Sequence, residues 1–214
     1  MRLFYHAATG TMKALLFSFS HWQVEGKENI PRDGPLIVVA NHLSLIDPPL
    51  LSASIPRKVV FMAKEELFAS KGGWFVRAFE AFPVKRGEID RQALRLALAI
   101  LKKGGVLGMF PEGKRSPQAR LQTAQPGVSL IALRSGAPLL PVGITGSEKV
   151  TGAGVILKRP HISVTIGRPF SLRREDEDHS QPRLDELTTL TMNSIASLLP
   201  PDYRGAYSNK TQGQ

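Results

Sequence analysis

Residues 36–40, Leu-Ile-Val-Val-Ala, are apolar at every position and rich in β-branched side chains. A strand of that composition has to be covered on both faces, which places it inside a sheet with helices on either side. The rest of the chain alternates in the same sense. Asp47-Pro48 reads as a helix start, with proline at the first helical position, and predicts a helix to about Ser54. Strands are predicted over Lys58 to Met62, Phe82 to Lys85, Val106 to Phe110, Leu139 to Ile144 and His161 to Ile166. Asp90 caps a helix in which Leu94, Ala97, Leu98 and Leu101 recur at helical spacing, and Gly104-Gly105 ends it. A third helix runs from Gly127 to about Ser135. A fourth carries Leu184, Leu187, Leu190, Ile195 and Leu198 and stops at Pro200-Pro201. The expectation is an α/β fold: a mixed, largely parallel central sheet flanked by helices.

The first twenty-two residues stand apart. They hold Leu3, Phe4, Tyr5, Met12, Leu15, Leu16, Phe17, Phe19 and Trp22, with Arg2 and Lys13 as their basic side chains. An interfacial helix suits that aromatic content best; a helix packed on the domain and a signal segment are the alternatives. The predicted organisation is therefore a short N-terminal membrane-interface helix over 1–22, a catalytic domain over 23–200, and a disordered polar tail over 201–214. The charged stretch from Arg173 to Ser180 is also expected to be disordered. Leu67 to Phe82 carries Phe68, Trp74, Phe75, Phe79 and Phe82 around Lys71 and Arg77. Phe79 and Phe82 are expected in the core, Trp74 and Phe75 at an interface.

Charge narrows the partners. There are 28 Lys and Arg against 18 Asp and Glu, a net charge of +10, which attracts polyanions in general. The basic residues are scattered, with no run of five or more and no nucleic-acid motif; by number they do not decide between nucleic acid and an anionic membrane face, and a solubilising surface charge is the third reading. The chain has no cysteine, which excludes disulfides, thiolate metal sites and a cysteine nucleophile.

Two segments carry the chemistry. In Asn41-His42-Leu43-Ser44-Leu45-Ile46-Asp47 a carboxylate lies five positions after a histidine. On a continuous helix, steps of about 100° would put the two on different faces. They meet only if His42 lies past a strand end and the chain turns back into a helix starting at Asp47. The carboxylate then accepts the proton of one imidazole nitrogen and leaves the other basic; the alternative is a structural pair, a histidine bonded to a helix cap for stability. The second segment, Phe110-Pro111-Glu112-Gly113-Lys114-Arg115-Ser116, follows a buried strand. Gly113 supplies a turn open to left-handed angles, and Lys114 and Arg115 supply donors for a phosphate. Lys85-Arg86-Gly87 follows another strand end. His42, Arg86 and Glu112 to Arg115 all sit where α/β sheets bind ligands.

Gly108 to Lys114 imitates a nucleotide-binding loop, but Arg115 stands where such a loop needs a hydroxyl for magnesium. Gly146-Ser147-Glu148 does not form a serine nucleophile elbow. Without a plausible serine or cysteine nucleophile, any group transfer here would proceed by direct attack of a substrate hydroxyl.

From about Glu25 to Pro169 these residues resemble the glycerophospholipid acyltransferase family, specifically its 1-acylglycerol-3-phosphate acyltransferases. Asn41-His42 with Asp47 is similar to the family's N-H-x4-D motif, and Val84-Lys85-Arg86-Gly87 to its second block. Phe110 to Gly113 with Arg115-Ser116 is similar to the third, and Leu140-Pro141-Val142 to the fourth. The resemblance implies that His42 is the general base and Asp47 orients it. It assigns Asn41, Arg86, Glu112, Gly113, Lys114, Arg115 and Ser116 to the acceptor site, with Arg86 on the phosphate. It implies a lysophospholipid acceptor, acyl-CoA or acyl carrier protein as donor, no further cofactor, no metal, and a location at the cytoplasmic face of the cell membrane. A related acceptor, or a non-catalytic membrane-binding protein, are the alternatives. Lys85 departs from the polar or acidic residue often found at that place in the family.

Overall fold

The computed structural model describes residues 2–70, 72–85, 90–150, 158–172 and 180–208. Among the described residues seven strands form one sheet: β1 His21–Glu25, β2 Leu36–Ala40, β3 Val59–Lys64, β4 Phe82–Val84, β5 Val106–Met109, β6 Leu139–Thr145 and β7 His161–Ile166. Their order is β1-β7-β6-β2-β5-β3-β4. From β4 through β6 every pairing is parallel; β7 runs antiparallel to β6, and β1 parallel to β7. The mixed, largely parallel sheet expected from the sequence is what forms.

β2 lies between β5 and β6 and is buried at all five positions. Alternation along the strand divides its side chains. Leu36, Val38 and Ala40 join Leu50 and Leu51 of helix α2 (Asp47–Ser54) and Leu16 of helix α1 (Arg2–Phe19) in one core. Ile37 and Val39 join Ala97 and Leu101 of α5 (Arg91–Lys102), Ile131 of α6 (Gly127–Ser135) and Leu187 and Ile195 of α7 (Gln181–Ala196) in the other. Two short helices, α3 (Glu65–Ala69) and α4 (Gly73–Ala78), link β3 to β4. α5 begins as predicted: the Asp90 carboxylate accepts from Gln92 N at 2.9 Å and Ala93 N at 3.0 Å.

Three expectations change. β1 was not anticipated, and with it the boundary at residue 22 moves, since His21 and Trp22 belong to the sheet. Its side chains alternate between exposed and half-buried, so it lacks the apolar run that marks β2. Second, α1 packs on the domain. Tyr5, Thr9 and Leu16 are buried along one stripe, and the Tyr5 hydroxyl accepts Val59 N–H at 3.1 Å. Phe4, Leu15 and Phe17 remain exposed. Third, residues 201–208 of the expected disordered tail are folded as two 3-10 turns, Pro201–Tyr203 and Gly205–Tyr207, and both tyrosines pack against the cores.

In the aromatic segment Phe79 is buried and Phe82 packs against the core, as expected, while Trp74 is 67% exposed. Phe75 is half-buried between Trp74 and Phe79 in edge-on contacts, so it is only partly the interface residue foreseen. Lys71, Arg86, Gly87, residues 173–179 and residues 209–214 lie outside the described residues.

Candidate active site

Three neighbouring strands, β5, β2 and β6, end side by side, and the chain leaving each one contributes to a single cluster. His42 lies just past β2 on a loop, and the chain turns back into α2 at Asp47, the geometry that five-residue spacing demands. His42 Nδ1 meets Asp47 Oδ2 at 2.8 Å. A carboxylate only accepts here, so Nδ1 carries the proton and Nε2 is the basic nitrogen. The His42 side chain is 14% exposed and Asp47 0%. The imidazole reaches the surface while the carboxylate beside it is sealed from water.

Asp47 does not cap its own helix. Its Oδ2 turns back to accept Leu43 N–H at 2.6 Å and Ser44 N–H at 2.7 Å, so the same oxygen that holds the imidazole also shapes the loop presenting it. The imidazole ring is further fixed by stacking on Phe110, centroids 4.2 Å apart and planes 20° from parallel. Phe110 in turn stacks at 6.0 Å on Phe61 of β3.

The two sequence motifs are clasped through the backbone of His42. Its N–H donates to Glu112 Oε1 at 2.9 Å, and its carbonyl accepts Ser116 N–H at 2.8 Å. Gly113, at φ 68, occupies the left-handed region that the turn requires, and its N–H donates to Phe110 O at 3.0 Å. The other Glu112 oxygen accepts Gln122 N–H at 2.9 Å and the Gln122 side-chain amide at 3.4 Å. Burial pushes the Glu112 carboxyl above its ordinary value; the N–H donors of His42 and Gln122 work against that, and Asp47 nearby adds to it.

Several residues that the resemblance assigned to the acceptor are therefore occupied in holding the site together. Both oxygens of Glu112 are bonded to the protein. Asn41 is 1% exposed: its amide donates to Ile144 O at 2.8 Å and accepts Ile144 N–H at 2.7 Å, tying the end of β2 to β6. Ser116 is buried, and its hydroxyl accepts Arg120 N–H at 3.0 Å. Lys114 and Arg115, by contrast, are exposed on the loop, free to meet an anion in solvent. Arg86 lies outside the described residues.

Three contacts were not foreseen: Phe110 against the imidazole, Gln122 on Glu112, and Ser147, whose hydroxyl donates to Asp47 Oδ1 at 2.6 Å. Phe110 stands inside the Phe-Pro-Glu-Gly motif, and an aromatic at the head of that loop was a usable signal. Ser147 comes from 100 residues away and carried none.

An acyltransferase family model matches residues 21–145, more than half of the chain and the span holding both motifs. The chain belongs to the acyltransferase family. It is 29% identical over 91% of its length to the 1-acyl-sn-glycerol-3-phosphate acyltransferase of Bacillus subtilis (strain 168), covering 96% of that protein. It is 30% identical to the chloroplastic enzyme of the same name from Arabidopsis thaliana over 75% of this chain and 47% of the plant protein. A second chloroplastic relative, from Brassica napus, is likewise spanned over only 46% of its length. Among solved structures the family member is similar to the 1-acyl-sn-glycerophosphate (LPA) acyltransferase PlsC from Thermotoga maritima. There the TM-score is 0.69 and identity 30%, over 91% of this chain and 78% of that one.

Proposed function

We propose that the chain transfers a fatty acyl group from an acyl thioester to the free sn-2 hydroxyl of 1-acylglycerol 3-phosphate, giving phosphatidic acid. The observation that carries the reading is the His42–Asp47 contact at 2.8 Å, clasped on both sides of His42 by the Phe-Pro-Glu-Gly loop. The names of the relatives point to the same acceptor.

In this reading His42 Nε2 takes the proton of the acceptor hydroxyl as its oxygen attacks the thioester carbonyl. The tetrahedral intermediate collapses, the C–S bond breaks, and the thiolate leaves. The imidazolium returns its proton to that sulfur, so one ester and one free thiol result. Asp47 steadies the imidazolium between the two transfers. The thioester is activated enough to need no metal or further cofactor. Lys114 and Arg115, together with Arg86, are the candidate phosphate ligands, Arg by its bidentate fork. Coenzyme A and acyl carrier protein both present a thioester of the required kind.

The proposed location is an anionic membrane surface, at the cytoplasmic face. Among the described residues no helix is long and apolar enough to cross a membrane. Exposed Phe4, Leu15, Phe17 and Trp74 and the net charge of +10 supply apolar and cationic contacts instead.

The test follows thiol release from acyl-CoA and from acyl carrier protein, with 1-acylglycerol 3-phosphate in anionic liposomes. Release that depends on the lysolipid, and that falls by about 10²–10⁴-fold in His42→Ala, is expected. Turnover retained in His42→Ala would sink the mechanism. Release seen only with another lysophospholipid or with glycerol 3-phosphate would keep the chemistry and change the acceptor.

A further inference from the structure

We infer that Ser147 is a positioning residue of the site, setting through Asp47 how strongly His42 holds its proton; the inference rests on the proposed reaction for its catalytic consequence but not for its physical one. Asp47 is 0% exposed, and its two oxygens are treated unequally. Oδ2 receives His42 Nδ1–H, Leu43 N–H and Ser44 N–H, while Oδ1 receives the Ser147 hydroxyl at 2.6 Å. The terminal torsion of an aspartate is soft, so a carboxylate held on one oxygen alone is free to turn. A donor on the far oxygen fixes the carboxylate plane. It also draws negative charge away from Oδ2, the atom that steadies the imidazolium.

Ser147 is itself placed with little latitude. It is 0% exposed and opens a 3-10 turn, Ser147–Lys149, directly behind β6. Gly146 before it has φ 81, and a Cβ there would lie 1.9 Å from His161 O, so only glycine makes this turn against β7. Three residues upstream, Ile144 is locked to Asn41 by two hydrogen bonds, which fixes β6 relative to the strand that ends at His42. Glu148, next in the chain, accepts the Tyr203 hydroxyl at 2.7 Å. The hydroxyl thus meets Asp47 from a braced turn. Its bond is to Asp47 and not to His42, and it is shut off from solvent, so it is not a nucleophile.

The series Ser147→Ala, Ser147→Cys and Ser147→Thr offers Asp47 no donor, a weak donor and a full one. Each folded variant, checked by circular dichroism and thermal midpoint, would be titrated by NMR at the His42 imidazole and assayed for thiol release. Loss of the donor is expected to leave Oδ2 more negative, raising the His42 titration midpoint, in the order Thr closest to wild type, Cys next and Ala highest. In parallel kcat should fall, by about tenfold in Ser147→Ala, with the acceptor KM within about twofold. Threonine should restore kcat and midpoint together. Midpoints that ignore the order, or a kcat that falls only with the folded fraction, would overturn the assignment. If wild-type protein releases no thiol, the reaction reading fails, and the NMR order alone still decides the role of Ser147.

Discussion

At the scale of single residues the site is governed by where donors converge on two buried carboxylates. Glu112 accepts from three N–H donors, two from backbone and one from the Gln122 amide. Its carboxyl is raised above the ordinary 4.5, with burial as the largest cause. The native state therefore binds this proton more tightly than the unfolded chain. Its contribution to stability is fully present below pH 4.5 and falls as pH rises through the raised value. Urea unfolding between pH 4 and 8 should reveal that slope, and Glu112→Gln should remove it. The substitution also turns an amide N–H₂ toward N–H donors, which should lower stability at pH 7 by about 1–3 kcal/mol. A variant equally stable at pH 7 would mean that Glu112 does not hold the loop. The identities of Asn41, Glu112 and Ser116 were legible in the sequence, but their direction was not. The partners that turn Asn41 and Glu112 inward lie 103 and 70 residues away, beyond the reach of spacing arguments.

Elements with a strong local signal were readable: α2 and α6 occupy the predicted residues, and β7 likewise. β1 was missed because an edge strand shows one partner and half-exposed side chains, so its register is set by β7 rather than by its own pattern. The C-terminal turns were missed for a related reason. Residues 201–207 are polar in sequence but are held by long-range bonds: Tyr203 O accepts Leu121 N–H at 2.8 Å, and its hydroxyl reaches Glu148. This turn braces two strips of the site at once, the one before Gln122 and the one after Ser147. Removing the hydroxyl in Tyr203→Phe leaves the partly buried Glu148 carboxylate short of its donor and should lower stability by about 1–3 kcal/mol at neutral pH. The Tyr203 hydroxyl is pushed up to about 12, first by burial and then by Glu148. A raised value means that its contribution is intact below the ordinary 10.0 and is lost as pH rises through about 12. Thermal melts from pH 9 upward should show wild type losing stability more steeply than Tyr203→Phe. Parallel curves would place the alkaline sensitivity elsewhere.

On the scale of the whole molecule, chemistry and surface are joined through α1. This helix packs on α2, whose first residue is Asp47, and also touches α4, which carries Trp74. Phe4 and Leu15 lie eleven residues apart, close to three helical turns, so they share the same flank of α1 beside its buried stripe. If the proposed membrane attachment runs through these side chains, two forces contribute and separate experimentally. Charge attraction is screened within ~10 Å at 0.1 M salt and ~3 Å at 1 M. Insertion of apolar side chains is not screened. Co-sedimentation with anionic vesicles should therefore weaken with salt but persist, whereas Phe4→Ser with Trp74→Ser should abolish the salt-resistant part. Full burial of one such side chain contributes about 1.5–3 kcal/mol, so even partial insertion of two predicts a fall in partitioning of about tenfold or more. Both side chains are exposed, 59% for Phe4 and 67% for Trp74. Thiol release with a water-soluble short-chain acceptor should thus be unchanged in the double variant, while turnover on liposomes falls with binding. Loss on both substrates would show that α1 and α4 support the site through the fold rather than by holding it against lipid.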